Sequence, residues 1–164
     1  TGDFWYDTRT MQFIALVSSI LLAQTAGVIG SVFTVSRIES WYSTLAQPSF
    51  SPPSWLFAPV WILLYTLMGI ATYLVWQKRT RPGARRALSV YGVQLVLNAL
   101  WSVIFFGLHR PDIALIEILV LLATIIWTTL LFWRVDRRVG WVMVPYIVWT
   151  SFATYLYFFI WILN

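Results

Sequence analysis

The chain consists of long apolar runs separated by short polar segments. The apolar residues are continuous within each run and do not alternate with polar ones, as they would in a half-buried strand. Each run has the roughly 20 residues needed to cross about 30 Å of hydrocarbon, where a backbone without water must be helical. The predicted membrane-spanning helices cover residues 11–33, 56–76, 88–108, 113–135 and 141–163. We therefore expect an all-α fold, an integral membrane bundle of five transmembrane helices.

The first ten residues, TGDFWYDTRT, contain no starting Met and are set apart from the fold. We treat residues 1–10 as an N-terminal extension or trimmed terminus, and expect a single domain over residues 11–164. The run at 11–33 is too long, and too polar toward its end, for a cleaved signal peptide. It is therefore interpreted as the first span.

Composition supports a membrane protein and excludes several kinds of site. Hydrophobic residues make up 60% of the chain and charged residues 10%, against about 25% charged in soluble domains. The mean hydropathy is +0.76. There is no Cys and a single His, His109, so thiolate chemistry is excluded and a zinc centre or Ser-His-Asp triad is hard to assemble. We expect no metal site and no required cofactor.

The basic residues divide unequally between the two sides of the predicted bundle. Nine of the eleven lie on the N-terminal side: Arg9, Lys78, Arg79, Arg81, Arg85, Arg86, Arg134, Arg137 and Arg138. This bias predicts a cytoplasmic N-terminus in a bacterial cell membrane, although an outer membrane reached by another route would not follow the rule. The net charge of +5 thus indicates topology and attraction to the lipid bilayer, and we expect no nucleic-acid partner.

Aromatic residues are unusually frequent, with eleven Trp, eight Tyr and eleven Phe. Interfacial anchoring accounts for some of them. The longest loop, residues 34–55, interleaves aromatic residues with Pro48, Pro52 and Pro53. Because proline restricts the backbone and aromatic rings supply surface to bury, we expect this first loop to be an ordered cap.

Three spans each present a polar and aromatic face at helical spacing. These faces are Trp61, Tyr65, Met68 and Thr72 in the second span; Tyr91, Gln94, Asn98, Trp101 and Phe105 in the third; and Tyr146, Trp149, Ala153 and Leu156 or Tyr157 in the fifth. One interpretation is packing with interhelical hydrogen bonds. The other is a pocket beneath the first loop for a large, flat, apolar ligand. Periodicity alone leaves both open.

The fourth span contains an acidic residue, Glu117, about one turn beyond its start. Pro111 and Asp112 predict that start, with proline near N1 and an acid in the first turn. A carboxylate at membrane depth is costly and is often functional. The simpler expectation is that Glu117 reaches the interface or pairs with Arg110 or Arg37.

Four stretches, taken in order, resemble the translocator protein family, also called tryptophan-rich sensory proteins, TspO/MBR proteins or peripheral-type benzodiazepine receptors. The first-helix glycine region is similar to AGVIGS (26–31), and the first loop with the second helix to WYSTLAQPSFSPPSWLFAPVWILLYTLMGIATYLVW (41–76). The third-helix motif is similar to QLVLNALWSVIFFG (94–107) and the fifth to PYIVWTSFATYL (145–156). The chain resembles a bacterial member most.

The resemblance implies a five-helix bundle, commonly a homodimer, with a cavity beneath the first loop. Family members bind porphyrins such as protoporphyrin IX and haem, drug-like aromatic ligands and, in animals, cholesterol. By motif, Trp61 and Trp149 would face the porphyrin, and Asn98 and Trp101 would be cavity residues of the third helix. We also expect Tyr65, on the same face as Trp61, to bind the ligand. The resemblance also places Ala153 and Ala26 near the ligand and makes Leu45 to Pro48 the lid.

Two departures from the animal proteins bear on the ligand. Phe159 and Ile162 stand where the cholesterol motif has Tyr and a basic residue, which disfavours cholesterol recognition through that motif. Ile113 stands where animal members have Trp, so the rim of the pocket is less aromatic.

Three functions remain open at this point. The first is a membrane receptor, sensor or carrier that binds porphyrins, with ligand carboxylates near Arg37 or Arg110. The second is an enzyme that degrades porphyrin in light through Trp61 and Trp149, since no metal ligands or acid–base pair are available. The third is a transporter of tetrapyrroles or sterols, for which the spans lack the charged midplane of ion-coupled carriers.

Overall fold

The computed structural model describes residues 3–164. Within that range five helices are long and apolar enough to cross a membrane, which confirms the predicted all-α membrane bundle. The helices are α1 (Asp3–Ile38), α2 (Ser54–Gln77), α3 (Ala84–Ser102), α4 (Pro111–Val135) and α5 (Arg137–Leu163). A π-helical segment, Val103–Gly107, continues α3, and a 3-10 turn, Tyr42–Thr44, lies in the first loop.

Several helices extend beyond their predicted apolar cores. α1 has 36 residues, about 54 Å at 1.5 Å per residue, so it is longer than the hydrocarbon is thick. It includes residues 3–10 of the predicted extension, while residues 1 and 2 lie outside the described range. α5 begins at Arg137 and continues through Pro145. α4 begins at Pro111 with Asp112 in its first turn, as predicted.

The helices form one bundle in which sequence neighbours pack together. α1 packs on α2 and α3, α4 packs on α5 and α3, and α2 also contacts α5. Gly69 allows α2 to approach α1 closely, because a Cβ atom there would lie 2.5 Å from the Ile20 Cα. α1 and α2 are also linked by Gln24, whose amide donates to the Ile62 carbonyl at 3.0 Å and to Thr66 Oγ1 at 3.1 Å.

The first loop is fixed by contacts at several points. Tyr42 is buried, and its ring lies 5.9 Å from that of Phe106. The Phe50 ring stacks on Tyr155 of α5 at 5.3 Å. The Asn164 side chain accepts from the Ala46 N–H at 2.9 Å and donates to the Ala46 carbonyl at 3.0 Å. The loop therefore contacts the bundle at three points along its length.

At the opposite end, the α2–α3 loop is held against the α4–α5 turn. Lys78 forms an ion pair with Asp136, and Arg81 donates to the Val135 carbonyl at 2.8 Å. Asp136 also caps α5 by accepting from the Arg138 N–H at 2.9 Å. The hydrogen bond from Lys78, followed by that from Arg138, holds the pKa of the Asp136 carboxyl below its usual range.

Candidate ligand-binding cavity

A cavity of about 370 Å³ lies inside the bundle, in the half nearest the first loop. All five helices contribute to its wall, together with Tyr42 of the 3-10 turn. Its volume falls in the range of sites that hold small organic molecules. The interior of the bundle is therefore not filled solid at this level.

Most of the residues predicted to bind ligand meet at this cavity. Six of the nine line it: Trp61, Tyr65, Asn98, Trp101, Trp149 and Ala153. The other three lie elsewhere. Ala26 packs in the central apolar core beside Ala23, Leu45 packs against the apolar cluster at the loop end, and Pro48 is half-buried in the first loop. None of these three is part of the cavity wall.

A buried chain of hydrogen bonds begins in the cavity wall at Tyr65 and Asn98 and ends at Tyr146, which does not line the cavity. The Tyr65 hydroxyl donates to Asn98 Oδ1, and Asn98 Nδ2 donates to the Tyr146 hydroxyl at 2.5 Å. The Trp61 ring lies 5.6 Å from the Tyr65 ring and 6.3 Å from the Tyr146 ring. This chain joins α2, α3 and α5, so both interpretations of Asn98 hold: it links helices and it borders the cavity.

Three lining residues carry buried polar atoms without a hydrogen-bond partner among the described residues. These atoms are Trp101 Nε1, Trp149 Nε1 and Thr150 Oγ1. An indole N–H is only a donor, and a buried polar group normally has a partner. The lining residues therefore include three polar groups without a partner, each of which is itself buried in the wall.

The π-helical segment Val103–Gly107 shapes the loop end of the wall. Its wide turn places the adjacent rings of Phe105 and Phe106 both inside the bundle. Trp101 stacks on Phe105 at 5.1 Å and lies 4.5 Å from Tyr157. Such π segments occur frequently at functional sites. Helical periodicity predicts the Trp101 position but not this local widening.

One side of the cavity is bordered by α1 and α2 side chains that are exposed on the outer surface. Val28 and Val35 of α1 and Ile62 of α2 line the cavity while remaining more than half exposed. All three lie in helices that are long and apolar enough to cross a membrane. The cavity thus adjoins the outer surface of the bundle.

The glycine-containing stretch of α1 contributes lining residues that the aromatic faces did not reveal. Gly27, Gly30, Ser31 and Thr34 all border the cavity. A Cβ atom on Gly27 would lie 2.5 Å from Tyr65 Cε2. The sequence indicated only that AGVIGS (26–31) is similar to the first-helix glycine region of the family.

The expectations for charged residues near the cavity are not met. Glu117 is buried, and neither carboxylate oxygen has a partner among the described residues, so it neither reaches the interface nor pairs with an arginine. Arg110 instead binds Asp112 through two hydrogen bonds of 2.9 and 2.7 Å. Neither Arg110 nor Arg37 lines the cavity.

The amino-acid sequence matches one protein family. The TspO/MBR family profile covers residues 19–162. The chain belongs to the TspO/MBR family. It is 38% identical over 154 residues to tryptophan-rich protein TspO of Archaeoglobus fulgidus, covering 94% of this chain and 99% of that protein.

Two further relatives have similar sequence identity to this chain over most of their length. The tryptophan-rich protein TspO of Chlorobaculum tepidum is 39% identical over 157 residues, covering 93% of this chain and 98% of that protein. The human translocator protein is 35% identical over 135 residues, covering 81% and 80%. The resemblance seen in the sequence motifs is confirmed. The chain is an integral membrane protein of the TspO/MBR family.

Proposed function

We propose that this protein is a membrane receptor, sensor or carrier that binds porphyrins, such as protoporphyrin IX or haem, in the aromatic cavity. The observation that carries the proposal is a cavity wall with aromatic residues from α2, α3 and α5, which also contains polar groups of Trp101, Trp149 and Thr150 without a partner among the described residues. A porphyrin supplies a flat apolar face for ring stacking and acceptor atoms on its rim. Protein names among the relatives, such as tryptophan-rich sensory protein in Cereibacter sphaeroides, agree with a sensing role.

The proposal is tested by titrating purified protein with protoporphyrin IX and following the porphyrin's own absorption band. Trp149→Ala removes a ring contact and an N–H donor, so the Kd should rise by about tenfold, from roughly 1–1.5 kcal/mol of lost interaction. Trp149→Phe keeps a ring and should have a smaller effect. The matched control is Trp55→Phe, because Trp55 is 71% exposed and lies outside the cavity wall.

Two results would contradict this assignment. One is an unchanged Kd in Trp149→Ala and Trp61→Ala, which would place the ligand elsewhere. The other is an equal loss of affinity in Trp55→Phe, which would show that the variants act through general destabilisation. Helical content and elution volume are measured first for every variant.

Light-dependent degradation of the porphyrin is the second candidate, because Trp61 and Trp149 both lie at the cavity. The described residues contain no group of three or more His, Cys, Asp or Glu side chains able to hold a metal, and we expect any chemistry to start from the excited porphyrin. Illuminated and dark samples of wild type and Trp149→Phe separate the two functions. A product that forms only in light and only with Trp149 indicates degradation, whereas bleaching equal to free porphyrin indicates binding alone.

We also propose a bacterial cell membrane with the N-terminus in the cytoplasm. The support is the clustering of basic residues at the end of the bundle that carries the α2–α3 loop and the α4–α5 turn, as the positive-inside rule requires. We further expect a homodimer, in line with the family.

A further inference from the structure

The end of the bundle that carries the α2–α3 loop and the α4–α5 turn has more positive charge than its own acidic residues neutralise. Lys78 is paired with Asp136, and Arg81 donates to the Val135 carbonyl at 2.8 Å. Six other basic residues at this end are exposed and form no ion pair among the described residues: Arg79, Arg85, Arg86, Arg134, Arg137 and Arg138. These six cations are free to bind a negatively charged partner.

Arg86 of α3 differs from the others in the position of its charge. Its guanidinium carbon lies 5.6 Å from the centre of the Trp127 ring, within the distance of a cation–π contact. Trp127 is eight residues before the end of α4 at Val135, which is about 12 Å along the helix axis. By contrast, Arg79 lies over Trp76, next to the last residue of α2. The charge of Arg86 therefore lies alongside the apolar part of α4 and not beyond its end.

The side chains around this contact combine exposed apolar area with two cations. Trp127 is 46% exposed, and Leu130, three residues later on the same side of α4, is 54% exposed. Arg134 follows Trp127 by seven residues, so it lies on the same face, two turns nearer the end of the helix. We call Arg86, Trp127, Leu130 and Arg134 the α3–α4 surface.

We propose that the α3–α4 surface binds an anionic phospholipid. The lipid phosphate pairs with Arg86 and Arg134, and an acyl chain covers Trp127 and Leu130. A charged side chain beside the apolar part of a membrane-spanning helix needs a counter-charge, and no acidic side chain among the described residues pairs with Arg86. Guanidinium groups also match phosphate well, because their N–H donors can bind two phosphate oxygens at once.

Charge and shape favour this occupant over two others. A second copy of the chain, related by a two-fold axis centred on this surface, would bring its own Arg86 and Arg134 against the same residues, and like charges would oppose each other. A small soluble anion would satisfy the two arginines but would leave Trp127 and Leu130 uncovered. An anionic phospholipid supplies both the negative charge and the apolar chain.

Lipid retention tests the proposal on purified protein without porphyrin. In neutral detergent with equal amounts of phosphatidylglycerol and phosphatidylcholine, native mass spectrometry should show preferential retention of phosphatidylglycerol by wild type. Arg86→Gln should weaken that retention about fivefold, the effect of one basic residue near an anionic headgroup. The matched control is Arg85→Gln, which removes the same charge at the neighbouring exposed position. Arg85 has no cation–π contact among the described residues, so retention should stay close to wild type.

Three results would overturn the proposal. Equal losses in Arg86→Gln and Arg85→Gln would show that the charge of this end acts as a whole and not through the α3–α4 surface. Equal retention of the two lipids by wild type would exclude recognition of charge. Displacement of the lipid by glycerol 3-phosphate at the same concentration would indicate a site for a soluble phosphate.

The test is independent of the proposed porphyrin binding. No residue of the α3–α4 surface lines the cavity, so Arg86→Gln should leave the Kd for protoporphyrin IX unchanged. Both arginines are exposed, and Tm in detergent is compared first to confirm that the two variants fold as wild type does.

Discussion

At the scale of single residues, Gly27 decides where the Tyr65 ring lies. A Cβ atom at this position would lie 2.5 Å from Tyr65 Cε2 and 2.9 Å from Cδ2. Tyr65 is the donor that holds Asn98, so its ring position sets the start of the buried hydrogen-bond chain. The absence of a side chain at Gly27 of α1 thus leaves room for the Tyr65 ring of α2, which in turn holds Asn98 of α3.

We expect Gly27→Ala to displace the Tyr65 ring and to raise the Kd for protoporphyrin IX several-fold. Tm should also fall, because a new methyl group is forced into a packed contact. Gly92→Ala is the matched control: it lies in α3 with nothing within 4 Å of the added Cβ, so both Kd and Tm should stay close to wild type. Equal behaviour of the two variants would refute a specific role for Gly27.

The sequence predicted some of these residues better than others. Asn98 and Trp101 follow helical spacing with polar or aromatic character, so their shared face is readable from the chain. Gly27 and Gly30 could be recognised only as small residues. Which neighbour approaches them depends on how the helices cross, and a one-dimensional pattern does not contain that information. Ala26, one position away, faces the core instead.

At the scale of elements, Asp136 makes two stabilising contacts at the start of α5. It caps the helix through the Arg138 N–H and forms the ion pair with Lys78 that holds the α2–α3 loop. Hydropathy identifies only the apolar part of α5, so the sequence analysis predicted that this helix starts at residue 141. The helix begins at Arg137 because this cap satisfies a backbone N–H at its N-terminus. The earlier start of α1, at Asp3, shows the same limit of hydropathy.

We expect Asp136→Asn to lower Tm at neutral pH while keeping the cap, because asparagine also accepts from a backbone N–H. The folded-state pKa of Asp136 is depressed, so the stabilisation from Lys78 is present above the unfolded pKa of about 3.9 and is lost as pH falls through the folded value. The Tm difference between wild type and Asp136→Asn should therefore shrink below about pH 4.

Lys78→Gln provides the check on this interpretation. It should lower Tm at neutral pH by a similar amount, and adding Asp136→Asn should then cost little more. Full additivity of the two substitutions would show that the ion pair does not account for the effect. Measuring Tm by the loss of helical signal in detergent across a pH series is sufficient.

At the scale of the whole molecule, the five-helix bundle could be predicted almost completely. The bilayer forces every long apolar run to satisfy its own backbone, so composition and length determine the architecture. The cavity could not be predicted in this way. Periodicity placed Trp61 and Trp149 on inward faces, but rings that face inward can equally fill the interior. The space is bordered by Gly27 and Gly30 of α1, by Phe106 of the π segment and by residues of α2, α4 and α5.

The exposed border formed by Val28, Val35 and Ile62 has a consequence for how binding must be measured. If the cavity binds a porphyrin as proposed, ligand dissolved among acyl chains would reach the cavity from this side. The concentration that governs occupancy is then the number of ligand molecules per lipid, and the volume of buffer is irrelevant once the ligand has partitioned. Proteoliposomes diluted tenfold with buffer should keep the same bound fraction, whereas doubling the lipid at constant ligand should lower it. A bound fraction that falls on dilution would show instead that the ligand is not held in the lipid.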